Sequence, residues 1–227
     1  MVCVTAVSFV ACGCVAITVS LFSAFCFFML ISRMIYTNSF EYRFMGINLI
    51  LAWLPYLFAM RIMKLNTKTN KIQIGIFLFL WLIFFPNAPY MITDIFHLHE
   101  FNSVPMWYDL IMLLSFAYTG MLLAFFSFRK LHRKLLSHRS IYVNAAVAFI
   151  TFFGCGIGIY LGRYERWNSW EIITQPANLA TEFIALINNQ YAMVQMFSLS
   201  LVFGVFFTLL YLQLFSRTMQ IHISDKA

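Results

Sequence analysis

The sequence predicts an all-α fold, a polytopic membrane protein with about six transmembrane helices in one bundle. Of the 227 residues, 62% are hydrophobic and only 10% are charged, whereas soluble domains average near half apolar and a quarter charged. The apolar residues also fall into six runs close to the length of about 20 residues that a helix needs to cross a bilayer. Because the loops between the runs are short, we expect a single membrane-embedded domain over residues 1–227.

Each predicted transmembrane segment is bounded by a short polar or basic stretch. The first apolar run is expected to end at Arg33, and the second at Arg61 and Lys64. No basic residue precedes the first run, which is longer than the core of a signal peptide, so we expect it to be retained. The six segments cover roughly residues 4–31, 44–63, 72–98, 107–128, 141–162 and 191–215.

The basic residues predict the orientation of the bundle. With both termini in the cytoplasm, eleven Lys and Arg lie on the inner side and four on the outer side, which agrees with the positive-inside rule. The densest cluster, RKLHRKLLSHR at 129–139, is interpreted as a cytoplasmic loop that binds anionic lipid. The net charge of +7 therefore has a topological explanation, and we expect no nucleic-acid partner.

The five cysteines lie inside apolar runs, where a free cysteine behaves as a small hydrophobic side chain. Their spacing predicts neither a zinc site nor a disulfide framework. We therefore predict no metal site, and the sequence leaves any other cofactor undetermined.

Acidic and aromatic residues collect at the predicted outer end of the bundle. Seven of the eight acidic residues lie at or near that surface. Membrane insertion does not demand this bias, because acidic residues contribute little to topology. Tyr and Trp are enriched there as well, which is typical of an interfacial aromatic belt. The outer end is therefore where a site is expected.

The stretch PNAPYMITDIFHL, residues 86–98, interrupts the third segment with two prolines. Pro86 and Pro89 each remove a backbone donor and displace the carbonyl four residues before them. In lipid those carbonyls have to be covered by protein or by water. We therefore expect a kink that faces the bundle interior or a wet pocket.

Four polar residues follow in this stretch with spacings of three, four and three residues: Asn87, Tyr90, Asp94 and His97. On an α-helix these spacings form one stripe about 80° wide. Asp94 and His97 are candidate acid–base groups, and Asn87 and Tyr90 are candidate substrate contacts. The structural alternatives are a helix cap at Asn87, an ion pair of Asp94 with a nearby arginine, and an interfacial histidine at His97.

A second polar group lies at 162–171, GRYERWNSWE. Arg163 and Arg166 are three residues apart, share a helical face there, and are suited to hold a phosphate, a carboxylate or a lipid head group. Alternatively, they are anchors beside the outer-leaflet phosphates. Since the third and fifth segments emerge on the same side, we expect the two polar groups to be able to meet. The full set of candidate substrate-binding residues is Asn87, Tyr90, Asp109, Arg163, Arg166, Asn168, Trp170 and Glu171.

Two further patterns concern packing. Gly154, Gly158 and Gly162 are four residues apart on one face of the fifth segment, where another helix can approach closely within or between chains. The stretch ANLATEFIALI at 177–187 predicts an amphipathic helix that lies on the outer surface or packs across the bundle. Asn168 or Ser169 is expected to cap a short helix before it, and Asp109 is expected at least to complement the helix dipole of the fourth segment.

Three stretches, PNAPYMITDIFHL (86–98), WYDL (107–110) and LGRYERWNSWE (161–171), carry a resemblance. Together they resemble an uncharacterised family of prokaryotic multi-pass membrane proteins, domain of unknown function 1361. The resemblance covers most of the chain, from the second segment to the sixth. Glu165 and Glu171 stand where the family pattern more often has an apolar residue and Asp. The resemblance implies an integral protein of the bacterial cytoplasmic membrane and supplies no activity.

Three classes of function fit these observations. The first is a scaffold or assembly component of the cell envelope. The second is a membrane-embedded enzyme or binding protein for an anionic or lipid-linked substrate, with an extracytoplasmic Asp/His/Arg site. The third, a transporter, is the least favoured, since no charged residue lies near a segment's midplane and the second half has no proline-broken segment. Membrane lipids are the expected partners, including an anionic head group, and the glycine face is compatible with a homo-oligomer.

Overall fold

A computed structural model describes residues 2–67, 69–98, 104–136, 140–167 and 171–224, and within these ranges it gives no side-chain environment for 2–14, 141, 172–173 and 215–224. The described chain is almost entirely helical and contains no β-strand. Besides a 3₁₀ segment at Met91–His97, its helices are α1 (Val2–Thr37), α2 (Arg43–Lys64), α3 (Lys71–Phe84), α4 (Asn87–Tyr90), α5 (Met106–Leu135), α6 (Ile141–Arg163), α7 (Glu171–Thr174), α8 (Pro176–Asn188) and α9 (Gln190–Ser224).

Six stretches of the described chain are long and apolar enough to cross a membrane, which confirms the predicted fold class. Each coincides with one of the segments predicted from the sequence. The stretches are Val15–Thr37, Arg43–Lys64, Lys71–His97, Met106–Leu135, Tyr142–Arg163 and Gln190–Leu214.

The first segment was expected to end at Arg33. In the structure, α1 continues past Arg33 to Thr37. Arg33 is 1% exposed and forms ion pairs with Asp109 and Glu41. Because these carboxylates neutralise the guanidinium, the charge need not reach water and the helix continues past it. Arg33 is therefore part of a buried ion-pair contact and does not end the first segment.

The fourth predicted segment is also longer than expected, because α5 extends to Leu135 and includes most of the basic cluster. The Lys134 ammonium donates to the backbone carbonyls of Ile62 and Leu65 at the end of α2. The His132 ring and the Tyr211 hydroxyl form a buried hydrogen bond of 2.7 Å between α5 and α9. Residues 129–135 thus make helix–helix contacts and do not form a loop, and residues 137–139 lie outside the described residues.

The third predicted segment divides at the prolines into α3, α4 and the 3₁₀ segment. The Ala88 amide bonds to the Phe85 carbonyl at 3.3 Å, and the side-chain amide of Asn87 donates to the Phe84 carbonyl at 3.1 Å. The Phe84 carbonyl thereby obtains a side-chain donor at the kink. The α-helix is interrupted at the prolines, and the interrupted stretch, the kinked segment, faces the bundle, with Pro89 and Ala88 buried.

The core lies where α5 contacts the other helices. An aromatic cluster joins the end of α3 to α5, α6 and α9. In it, the Phe128 ring centroid lies 5.2 Å from that of Phe152, 4.9 Å from that of Tyr211 and 6.5 Å from that of Phe85. These contacts fix α6 beside the kinked segment.

Two of the three predicted packing glycines allow this approach. A Cβ atom at Gly158 would lie 2.5 Å from Pro86 Cγ, and one at Gly162 would lie 3.2 Å from the Tyr90 ring. A Cβ at Gly154 would meet no atom within 4 Å in the described part of the chain, so this glycine takes no part in the packing within it. The close contact of α6 with α9 occurs instead at Gly156, where a Cβ would lie 2.5 Å from Ser200 Cα.

The predicted amphipathic helix is present as α8 and lies at the surface. Leu186 is its buried residue, whereas Phe183, Ile184 and Ile187 are exposed. The helix contacts α7 and α9. Of the two arrangements expected for this segment, the exposed apolar side chains favour a position along the surface.

Candidate functional site

The chain brings seven polar or aromatic side chains together at one end of the bundle, which we call the polar end. They form two neighbouring groups. The Arg33 group consists of Arg33, Glu41 and Asp109, and the Arg163 group consists of Asp94, His97 and Arg163. Tyr42 lies between the two groups.

The 3₁₀ geometry of Met91–His97 aligns the first two members of the Arg163 group. A 3₁₀ helix has three residues per turn, so side chains three apart lie directly above one another. Asp94 and His97 therefore share one face more closely than they would on the expected α-helix. Runs of this length are uncommon in 3₁₀ form, and the sequence pattern did not predict it.

Arg163 completes the group from the last turn of α6. Its Nη1 lies 2.8 Å from Nε2 of His97 and 3.8 Å from Oδ1 of Asp94. Since a guanidinium has no acceptor, Arg163 is the donor and His97 Nε2 carries no proton in this arrangement. The imidazole is then the neutral tautomer with its proton on Nδ1. The Tyr90 phenol lies close enough to interact with the same guanidinium.

Asp94 is entirely buried. Its Oδ2 accepts a hydrogen bond of 3.2 Å from the side-chain amide of Asn48 on α2. Its Oδ1 accepts no hydrogen bond from any residue in the described part of the chain. A buried acceptor without a donor is uncommon in folded proteins and calls for an explanation.

The backbone after α6 turns away from the helix axis. Arg166 has a φ of 59°, and the Trp167 amide donates to the Leu161 carbonyl at 3.1 Å. The expectation that Arg163 and Arg166 share a helical face is therefore wrong, because α6 ends at Arg163. Arg166 is exposed and makes no hydrogen bond or ion pair with the residues that the structure describes.

In the Arg33 group, one buried guanidinium binds two carboxylates. Nε of Arg33 donates to Asp109 Oδ1 at 2.7 Å and Nη2 donates to Oδ2 at 3.2 Å, a two-point contact. Nη1 donates to Glu41 Oε2 at 2.8 Å. Asp109 lies in the first turn of α5 as expected, and both of its carboxylate oxygens accept hydrogen bonds from Arg33.

A cavity of about 390 Å³ adjoins this group and is lined by Ser32, Arg33, Tyr36, Val104, Pro105 and Tyr108.

Tyr42 connects the two groups. The Arg33 Cζ lies 4.6 Å from the centre of the Tyr42 ring, and the Tyr42 hydroxyl donates to the His97 carbonyl at 2.7 Å. Its backbone is left-handed, with a φ of 60°, an uncommon conformation for a bulky residue. The chain thus adopts a strained conformation at the residue that links the charged groups.

The remaining sequence candidates are not all part of this arrangement. Asn87 binds the Phe84 carbonyl at the kink, and Glu171 begins α7. Asn168 and Trp170 lie outside the described residues, as does the expected cap at Ser169. Sequence reasoning missed Arg33, Glu41 and Tyr42 as members of the polar end, and Asn48 as the hydrogen-bond partner of Asp94. Asn48 had a usable signal, since it is a polar residue within the apolar run of the second segment.

Three or more His, Cys, Asp or Glu side chains do not gather as a metal site within the described ranges. The polar end instead combines a buried carboxylate, a neutral imidazole and a guanidinium. This combination is suited to hydrogen bonding and to charge pairing with a ligand.

These features define a polytopic helical membrane protein with a buried charged centre at one end. A family model described as "Protein of unknown function (DUF1361)" matches residues 47–210, and the chain belongs to that family. The match includes all three members of the Arg163 group but begins after Arg33, Glu41 and Tyr42. No curated protein and no solved structure matches the chain.

Proposed function

We propose that this protein binds an anionic group, free or attached to a lipid, and that Arg163 contacts it. The supporting observation is a difference between the two arginines of the polar end. The side chain of Arg33 is 0% exposed and lies against two carboxylates, whereas that of Arg163 is 17% exposed with its carboxylate contact at 3.8 Å. Arg33 therefore has a structural role, and Arg163 is available to a ligand.

The contacts of Arg163 hold it in position without using all its donors. A guanidinium has five N–H groups in a planar fork that matches phosphate and carboxylate. Its hydrogen bond to His97 goes to a neutral ring, so that contact does not neutralise its charge. In this proposal His97 and Asp94 act as positioning residues, which orient Arg163 toward the ligand.

The location of Arg163 favours a ligand at the membrane surface. Arg163 ends a transmembrane helix, and the exposed residues Tyr164, Glu165 and Arg166 follow it. The distribution of Lys and Arg supports an extracytoplasmic position for this end in a bacterial cytoplasmic membrane. Lipid head groups lie at that surface, so an anionic head group is the form of the ligand to test first.

A scaffold or assembly component of the cell envelope is the second candidate. The observation that favours it is the Arg33 group, in which Arg33 binds Asp109 and Glu41 and so joins α1, α5 and the turn before α2. On that view the Arg163 group is a second structural contact, between α6 and the 3₁₀ segment.

Binding of short-chain phosphatidylglycerol to the protein in detergent micelles distinguishes the two. We expect Arg163→Gln to weaken binding about tenfold or more, the effect of losing a charged hydrogen bond, while thermal unfolding changes little. Arg163→Lys keeps the charge but loses the planar fork, so we expect its affinity for phosphatidylglycerol to lie between those of the wild type and Arg163→Gln. Arg166→Gln is the matched control. Unchanged binding in a folded Arg163→Gln protein would remove this proposal, and an Arg163→Gln protein that unfolds would favour the structural role.

A further inference from the structure

Building on that proposed function, we propose that the ligand carries an amine beside its phosphate, as in a phosphoethanolamine head group. The ammonium donates to Oδ1 of Asp94 while the phosphate accepts from Arg163. The observation that points to this pairing is the buried carboxylate oxygen of Asp94, to which no described residue donates a hydrogen bond.

Oδ1 of Asp94 requires a donor that the described chain does not supply. The nearest cationic nitrogen, Nη1 of Arg163, is 3.8 Å away, beyond hydrogen-bond distance. The other oxygen is already bound to Asn48. Because Asp94 is fully buried, bulk water does not reach this oxygen, and a buried acceptor without a donor costs free energy.

The charges of the Arg163 group favour a ligand that carries both signs. Asp94 contributes one negative charge and Arg163 one positive charge, and His97 is neutral in this arrangement. A purely anionic ligand would therefore leave the group with an uncompensated negative charge in a region of low dielectric constant. A phosphate with an attached ammonium leaves the balance unchanged, and buried charges are stable when paired.

The position for the ammonium is marked by Arg163 itself. Its Nη1 is a cationic nitrogen that faces His97 Nε2 and Asp94 Oδ1 together, and its side chain is 17% exposed, against 1% for that of Asp94. When the guanidinium turns outward to the phosphate, the ammonium takes the position of Nη1. Two acceptors then face its three N–H donors, and Asp94 stays paired with a cation throughout the exchange.

The donor hydrogens of the amine provide the test. Short-chain phosphatidylethanolamine and its N-methyl, N,N-dimethyl and N,N,N-trimethyl derivatives share one phosphate and one net charge. The last of them, phosphatidylcholine, has no N–H. We measure the affinity of the full-length protein in micelles for all four lipids and for phosphatidylglycerol. We expect the affinity to fall about tenfold between the first and the last, with the fall beginning at the N,N-dimethyl lipid, which has one N–H for two acceptors, since hydrogen bonds to a charged group are lost.

Variants assign the effect to Asp94. Asp94→Asn is expected to bring the affinity for phosphatidylethanolamine down to that for phosphatidylcholine, which itself changes little. Arg163→Gln is expected to lower the affinity for all five lipids by a similar factor. Arg166→Gln is expected to leave the ratio of the affinities for phosphatidylethanolamine and phosphatidylcholine unchanged. If Asp94→Asn does not fold, the methylation series on the wild-type protein still shows whether the N–H groups of the amine are recognised.

The outcomes separate this inference from the proposed function beneath it. If the four amine lipids bind equally, and phosphatidylglycerol binds too, the amine is not recognised and only the phosphate contact remains. If none of the five lipids binds, the proposed function itself fails. A preference for the amine that survives in a folded Asp94→Asn protein would overturn the assignment to Asp94.

Discussion

The Tyr42 hydroxyl donates a hydrogen bond of 2.7 Å to the backbone carbonyl of His97, 55 residues further along the chain. The same tyrosine covers the guanidinium of Arg33 with its ring. One buried side chain therefore contacts Arg33 on one side and the backbone of His97 on the other. This connection places the start of α2 between the structural charges and the proposed ligand site.

Tyr42→Phe tests the hydroxyl alone, since the ring over Arg33 is kept. We expect it to lower the free energy of unfolding by about 0.5–1.5 kcal/mol, the net value of one hydrogen bond. The measurement is unfolding in micelles followed by tryptophan fluorescence. Tyr36→Phe is the control, because Tyr36 is exposed and is expected to tolerate the change. A Tyr42→Phe protein as stable as the wild type would mean that the hydrogen bond from the hydroxyl to the His97 carbonyl contributes nothing to stability.

Asp109→Asn tests the Arg33 group. The substitution removes the negative charge from the two-point contact with a buried guanidinium, and breaking a buried ion pair costs about 3–5 kcal/mol. We expect Glu41→Gln to cost less, because the side chain of Glu41 is 26% exposed and that of Asp109 only 5%. Both are measured by unfolding in micelles, and a double-mutant cycle with Arg33→Gln gives the coupling. An Asp109→Asn protein as stable as the wild type would contradict a structural role for this pair.

Gly158→Ala and Gly154→Ala form a matched pair on α6. An added methyl group at Gly158 meets the Pro86 ring, so we expect a loss of about 1–3 kcal/mol in unfolding free energy from overpacking. At Gly154 the same methyl group meets nothing, and the helix gains up to about 1 kcal/mol because alanine replaces glycine. Opposite signs in the same unfolding assay are the expected result. Equal effects would mean that α6 does not approach the kinked segment closely.

The fold could be predicted from the sequence because hydropathy acts over whole segments. Six apolar runs fixed the six spans without knowledge of any contact. The predictions that the first segment ends at Arg33 and that residues 129–135 form a loop were both wrong, and for the same reason. A charge ends a segment only when it must reach water, and partners distant in sequence decide whether it must.

The candidate site was partly predictable for a similar reason. Asp94, His97 and Arg163 stood out because charged and polar groups near the membrane are costly there, and the shared side of two segments indicated that they can meet. The partners of Asp94 and Arg33 did not stand out. Asn48 and Tyr42 are ordinary residues locally, and they acquire their roles from α2 packing beside the 3₁₀ segment.

The membrane orientation gives the last prediction. Glu165 follows Arg163 at the polar end, and Arg133 lies near the opposite end of the bundle; both are exposed. The excess of Lys and Arg at the Arg133 end predicts that it is cytoplasmic. We expect Glu165→Cys to react with a membrane-impermeant maleimide on intact cells, and Arg133→Cys to react only after permeabilisation. The wild type treated in parallel is the blank, and of its five cysteines the two whose side chains the structure describes, Cys26 and Cys155, are buried. The reverse pattern would put Arg163 in the cytoplasm, where only a ligand of the inner leaflet or the cytosol could reach it.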